Sequence, residues 1–434
     1  EFVDASVSYG INHWHSVETD VWTRAAGSLE SVMRTGAVVA FPANEDCWPD
    51  LIFTTGATTS GQLVRYINED GRSFSQTMLN LGAAANPIAA LGAADIDGDY
   101  RLDLALGLLQ GDGAGIYLVN DVGGYGLHQS IAMPKSTFGF AFADYSGDEW
   151  LDAFAAQWDV VAGAPYGPGL LENAGSGSSD PPGWLTGADA AAGTTPDVVS
   201  RDFNLSPAFA DLDGDRFPDL LIASDSATGE VLQNTAAGAY TALTASIGLT
   251  DQNASGQAVR DFDNDGNWDW FVASVHAPGD ARPWPWGTEG NRLYWGDGAS
   301  PYLNAAGAAT GAEDAEWPWG VCAEDFNNDG LTDIFVENGF GFAPSDVMMA
   351  ESGNPFVQQI NESLFDKKQT RARLFMNQGG RSFVDDAMNW GIDSLTNGRG
   401  VACLDYDRDG DIDIAVAQNS GPALLYENRH SAAD

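Results

Sequence analysis

Six short segments of the chain each place four oxygen-bearing side chains within nine residues. They are Asp95, Asp97, Asp99 and Asp103; Asp144, Ser146, Asp148 and Asp152; Asp211, Asp213, Asp215 and Asp219; Asp261, Asp263, Asp265 and Asp269; Asp325, Asn327, Asp329 and Asp333; and Asp405, Asp407, Asp409 and Asp413. The frame is D-x-D-x-D-G-x-x-D or a near relative, with oxygen donors at positions 1, 3, 5 and 9. A tight Gly or Asn turn folds such a loop back on itself. Hard oxygens then converge on one ion, and a backbone carbonyl near position 7 fills the remaining place. Oxygen-only ligation with flexible geometry suits Ca2+, whereas Mg2+ takes fewer protein ligands in a stricter octahedron. Asp, Asn and Gly are also ordinary turn formers. That accounts for Asn264 or Gly266, but not for recurrent carboxylates that repel one another unless a cation sits between them.

The six loops are not equal. Those starting at Asp95, Asp211, Asp261 and Asp405 carry four Asp each, the loop at Asp325 has Asn327 at position 3, and the loop at Asp144 has Ser146 there. A seventh copy of the frame, PANEDCWPD at 42–50, offers Pro42, Asn44, Asp46 and Asp50, so its site is expected to be weak or empty. About six bound Ca2+ are expected. Twelve added positive charges would move the formal charge from -43 to about -31. Such loops cannot be preformed in an unfolded chain, so ion binding is folding free energy.

These loops recur because the whole chain recurs. Each is preceded by small apolar residues and followed by an apolar, β-branched run. A short strand ending in Asn comes next, at Asn68, Asn120, Asn173, Asn234, Asn377 and Asn428, with Gly296 in the fifth copy. A Gly-rich turn and an aromatic-led strand complete the unit. Seven all-strand units of roughly 50 to 80 residues point to an all-β, seven-bladed β-propeller over 1–434. An open solenoid would need polar end caps, and none is visible. The chain opens EFVDASVSYGI (1–11), close to SFVDDAMNWGI (382–392), and ends GPALLYENRHSAAD, short of a final aromatic-led strand. Residues 1–11 are therefore predicted to complete the last blade and close the ring, which brings the termini together. Residues 12–35 lead into the first blade, and 357–372 is the best helical candidate.

Asp plus Glu number 62 and Lys plus Arg 19. That balance argues against nucleic acid and anionic membrane as partners and for cations. No apolar stretch reaches 18 residues, so no membrane insertion is expected. Glu1-Phe2-Val3-Asp4 reads as the start of a mature or trimmed domain without a leader. Cys47, Cys322 and Cys403 are too few for a disulfide framework. Cys322 and Cys403 read as small buried hydrophobes, with a single bridge left open.

The D-x-D-x-D-G-x-x-D blades resemble FG-GAP/VCBS repeats of the integrin-α type. RLFMNQGGRSFVDDAMNWGI followed by GRGVACLDYDRDGDIDIAVAQNSGPALLYEN is more specifically similar to the cartilage acidic protein and ASPIC/UnbV propeller group. The resemblance implies calcium at the six loops and a secreted, periplasmic or cell-surface location. It also implies a further C-terminal module in many members, before which this sequence stops at Asp434. It implies no defined activity, since such propellers occur in lectins, adhesins and some lyase-type enzymes.

Two stretches break the repeat, 276–290 and 339–373, and insertions of this kind tend to build one functional face. His276, Arg282, Trp284, Trp286, Trp317 and Trp319 fall in or near them. Such a set could stack a sugar ring and anchor an anionic group, or it could pack over a blade edge. The HWH at 13–15 offers two imidazoles without an identifiable third ligand. No G-x-S-x-G, H-E-x-x-H or phosphate-binding glycine loop is present. The expectation is a monomeric binding module for a glycan or protein, leaning away from enzymes. The alternative is a lyase, dehydratase, isomerase or cyclase with its pocket at the axial mouth. A shallow aromatic groove favours binding; a deep pocket holding a strongly shifted carboxylate or His favours catalysis.

Overall fold

The computed structural model describes residues 2–6, 8–9, 11, 14–15, 36–44, 46–54, 62–81, 88–108, 114–119, 124–133, 135–158, 167–175, 180–189, 204–225, 229–236, 238–276, 290–299, 302–305, 310–339, 370–419 and 421–430. They form seven four-stranded antiparallel blades. In chain order the innermost strands are Val38–Phe41, Ile88–Ala94, Ser136–Ala143, Asn204–Ala210, Ala254–Arg260, Pro318–Glu324 and Gly398–Leu404. The second strands are Asp50–Thr54, Asp103–Leu108, Asp152–Trp158, Asp219–Ser224, Asp269–Ser274, Asp333–Asn338 and Asp413–Gln418. Each acidic loop joins the inner strand to the second one.

Second strands such as Leu220, Leu221, Ile222 and Ala223 are buried along their whole length. They read as unbroken apolar runs because neighbouring blades cover both of their faces. Phe271, Ala273 and Leu293 of blade five thus pack with Ile334, Val336 and Phe375 of blade six. Inner strands use small residues where they crowd the axis. A Cβ on Gly256 would meet the Trp319 carbonyl oxygen of the next blade at 2.0 Å, and one on Gly320 would meet that of Arg399 at 2.5 Å.

Phe2–Asp4 is the fourth strand of blade seven and closes the ring. Phe2 faces Asn428, Val3 faces Glu427 and Asp4 faces Tyr426. In blade six Phe383 faces Asn377, Val384 faces Met376 and Asp385 faces Phe375. The repeated FVD thus occupies the same register in both blades, and only the continuity of the chain differs.

Two expectations change. Cys322 and Cys403 form a disulfide with an S–S distance of 2.07 Å. They occupy adjacent inner strands and are half-buried, so the reading as simple hydrophobes gives way; Cys47 is free and exposed. The helical candidate 357–372 lies outside the described residues up to 369, and its end at Thr370–Arg371 is a short strand paired with Leu395–Thr396. The described helix is instead Thr244–Ile247, between blades four and five. Of the 12–35 lead, Trp14–His15 pairs with Gly421–Pro422, and His13 lies outside the described residues.

Candidate metal centres and axial cavity

Each acidic loop is organised by its own carboxylates. The position 1 side chain accepts backbone N–H groups from across the turn: Asp95 from Asp99 (3.0 Å) and Tyr100 (2.9 Å), Asp261 from Asp265 (3.0 Å) and Gly266 (2.9 Å), and Asp325 from Asp329 (3.0 Å) and Gly330 (2.8 Å). Positions 4 and 6 are left-handed in these turns, so one of them is usually Gly. Gly98 pairs with Tyr100 (φ 75 and 70), and Asn264 pairs with Gly266 (φ 60 and 91).

The result is convergence. Four described groups each bring three ligand oxygens within 4.8 Å of one another: Asp95, Asp97 and Asp99; Asp211, Asp213 and Asp219; Asp261, Asp263 and Asp265; Asp405, Asp407 and Asp413. The donors are all hard oxygens, and Oδ1 of Asp405 is buried without a hydrogen-bond partner among the described residues. Both features fit a divalent cation. The loops at Asp144 and Asp325 keep the same turn with Ser146 and Asn327 at position 3. Arg381 of blade six already neutralises Asp263 at 2.6 Å, and Arg101 pairs with Asp99 at 2.6 Å. In the 42–50 copy the Asn44 amide donates to Asp46 at 2.8 Å, as Asn327 does to Asp329 at 2.9 Å, but Pro42 leaves position 1 without a side-chain oxygen.

Position 9 has a second role that sequence reasoning missed. Asp50, Asp103, Asp152, Asp219, Asp269, Asp333 and Asp413 are all fully buried. One oxygen of Asp219 accepts the N–H of Leu212 (2.8 Å) and the other that of the marker Asn234 (2.7 Å). Asp413 does the same with Tyr406 (3.0 Å) and Asn428 (2.8 Å). Burial pushes these carboxyls up, Asp219 to about 7 and Asp413 to about 8, although the amide hydrogen bonds pull the other way.

The marker Asn spans blades. Asn173 Nδ2 donates to the Ile96 carbonyl of blade two (2.8 Å), Asn234 to Tyr145 of blade three (2.8 Å), Asn377 to Phe262 of blade five (2.8 Å) and Asn428 to Phe326 of blade six (2.8 Å). Every acceptor is position 2 of the preceding acidic loop. The loops also touch directly: Asn264 donates to the Gly330 carbonyl, Asn328 to Asp411 and Arg408 to the Cys47 carbonyl. The acidic loops therefore form a collar around one face of the ring.

The other end of the inner strands encloses an axial cavity of about 330 Å³. Its walls are the residues six, five and four places ahead of each loop, from Gly36–Val38 in blade one to Arg399–Val401 in blade seven. Arg399 is the single charged residue among those lining it.

Residues 211–272 match the family described as FG-GAP-like repeat, which covers the loop at Asp211 and the loop at Asp261. The chain is a seven-bladed β-propeller that carries an FG-GAP-like repeat over residues 211–272. Cartilage acidic protein 1 of Mus musculus is 48% identical over 77 residues, 17% of this chain and 12% of that protein. The Xenopus tropicalis protein is 38% identical over 74 residues, 17% of this chain and 11% of the relative. The chain thus spans about a tenth of the length of the curated relatives it matches. Among solved structures, an Agrocybe aegerita lectin described as recognising non-reducing terminal N-acetylglucosamine is 13% identical. That match covers 82% of this chain and 81% of the lectin, with a TM-score of 0.45. The BP39L lectin of Burkholderia pseudomallei is also 13% identical, over 90% and 98% of the two chains, with a TM-score of 0.44.

In this propeller the expected ligand residues scatter. Arg282, Trp284 and Trp286 lie outside the described residues. His276 Nδ1 contacts Asp314 at 2.7 Å. Trp317 is half-buried, and its carbonyl accepts the Gly339 N–H at 3.1 Å. Trp319 reaches the axial cavity, with one face covered by the Arg399 guanidinium 4.0 Å from its ring centre. Arg399 escaped sequence reasoning. Aligning the seven units on their loops would have exposed it, because the equivalent positions hold Gly36, Ala89, Phe138, Leu205, Ser255 and Trp319.

Proposed function

We propose that this propeller is a secreted or cell-surface recognition module. Calcium holds it at the collar of acidic loops, and a glycan or protein ligand meets the opposite, axial face. The observation that carries this reading is the division of labour between the two faces. Carboxylates converge in four described groups on one side, while the other side opens into a cavity walled by uncharged residues and one arginine. Arg399 stands six positions ahead of Asp405, about 20 Å of extended chain, so an ion at the collar stabilises the cavity without entering it. The Cys322–Cys403 bridge supports an oxidising compartment.

Melting the whole chain in calcium, magnesium and excess EDTA tests the metal half, and a glycan array read with and without calcium tests the recognition half. A melting temperature indifferent to EDTA would sink calcium as the stabilising ion. Silence on the array together with turnover of a small molecule would transfer the axial cavity to the enzyme reading. That reading has one observation in its favour: burial pushes Glu337 up to about 7 close behind the cavity wall. Glu337 is fully buried, accepts a hydrogen bond from the Thr396 hydroxyl and is not among the residues that line the cavity.

A further inference from the structure

The axial cavity has 21 lining residues, three from each blade, and 20 of them are uncharged. The exception is Arg399, which is 5% exposed. Its Nη1 is fully used, donating to the carbonyls of Gly339 (2.9 Å) and Gly398 (2.7 Å) and to Oδ1 of Asn397 (2.9 Å). The guanidinium plane lies over Trp319 at 4.0 Å, and Trp319 Nε1 donates to the same Gly339 carbonyl at 2.7 Å. Both contacts fix the plane. Nε is buried without a partner among the described residues, and no described group engages Nη2.

The nearest counter-charge does not fill that edge. Glu337 takes the Thr396 hydroxyl on Oε1, while its Oε2 is also buried without a partner. Burial raises Glu337 toward neutrality and lowers Arg399 to about 9, which is what a poorly compensated pair does. A guanidinium held in an uncharged cavity, with Nη2 unengaged by any described group, matches a carboxylate oxygen, which takes a charge-assisted hydrogen bond there. The collar's negative charge does not forbid this. It lies about 20 Å along the strand, more than two screening lengths at physiological salt.

We propose that the axial cavity binds a sugar acid, with the ligand's carboxylate on Nη2 of Arg399 and its ring against the apolar walls of the inner strands. The size favours a saccharide unit over a folded partner surface: about 330 Å³ lies at the lower end of small-ligand pockets. Leu91, Phe140, Leu205 and Val401 offer apolar walls to the carbon face of a ring. The proposal deepens the glycan half of the recognition reading and rests on it.

The test is calorimetric titration of the calcium-loaded whole chain with sodium glucuronate, glucose, acetate and an acidic tripeptide. Saturable glucuronate binding at least tenfold tighter than glucose is expected, with acetate weak and competitive. Arg399→Gln should lose that binding tenfold or more while its circular dichroism in calcium stays close to wild type. Arg399→Lys, which keeps the charge but not the guanidinium plane held over Trp319, should lose most of it. Should both variants misfold, the wild-type chain labelled with 15N-arginine decides, because glucuronate must move a solvent-protected arginine Nε–H resonance and glucose must not. No glucuronate binding, equal binding of glucose, or an unmoved resonance overturns the proposal. Tight binding of the tripeptide in place of glucuronate overturns it in favour of a protein ligand. Calcium is present throughout, so a negative result here leaves the calcium experiment standing on its own.

Discussion

The side-chain amide of Asn68 donates to the backbone carbonyl of Tyr406 at 2.7 Å, across 338 residues of sequence. Asn68 belongs to blade one and Tyr406 to the acidic loop of blade seven. The contact has the same form as Asn377 with Phe262 inside the ring. The joint where the chain's beginning meets its end is therefore built like the covalently continuous joints.

Replacing Asn68 with Ala removes the donor to Tyr406 and also to the Pro49 carbonyl, leaving buried acceptors unpaired. The expected cost is about 1–3 kcal/mol. Asn377→Ala, which strips Phe262 and Thr332 in the same way, should cost a similar amount. Denaturant unfolding of both variants checks this; a negligible effect for Asn68 alone would mean that blades one and seven are not locked.

Asp407 converges with Asp405 and Asp413, and Asp405 Oδ1 lacks a protein partner. Asp407→Asn should lower the calcium stoichiometry from about six to about five and leave the other sites intact. Equilibrium dialysis reads the number. A wild-type stoichiometry near zero would remove metal from the account of all the loops.

Glu337 has a folded-state value of about 7, above its ordinary 4.5, because it is buried. A raised carboxyl contributes stability that is whole below the unfolded value and is lost as pH rises through the folded one. In calcium, wild type should thus lose roughly 3 kcal/mol between about pH 4.5 and above pH 7 through this group. Glu337→Gln should flatten that part of the profile, and thermal melts across the pH range measure the difference. Parallel profiles for the two proteins would mean that Glu337 is not the titrating group.

The Cys322–Cys403 bridge closes a loop spanning 81 residues between adjacent inner strands. Replacing both cysteines with Ala should destabilise the propeller by about 4 kcal/mol by freeing the unfolded chain. Guanidinium unfolding of the oxidised protein against the double variant reads the loss, and matching midpoints would show that the thiols are reduced in the native protein.

The ring was legible because it is built from repetition. Each unit declares its acidic loop, its buried run and its marker Asn within local sequence. The doubled FVD at 2–4 and 383–385 announces the closing strand, since equivalent residues in a repeat take equivalent registers. The acidic loops were legible for a related reason: a carboxylate at alternate positions of a tight turn has only its own turn and an ion to face.

What joins one unit to the next was not legible. The amide of Asn234 reaching the Tyr145 carbonyl, or the bridge from Cys322 to Cys403, connects residues whose pairing depends on the angle between blades. Arg399 stands between two glycines, with nothing in its local sequence to mark it. By itself the sequence determined the unit, its number and the oxygen-donor chemistry of its loops, because those follow from spacing along a single chain. The tertiary structure alone decided which carbonyl each Asn meets and that one guanidinium closes on the axis, because seven strands distant in sequence must converge before a cavity exists for it to face.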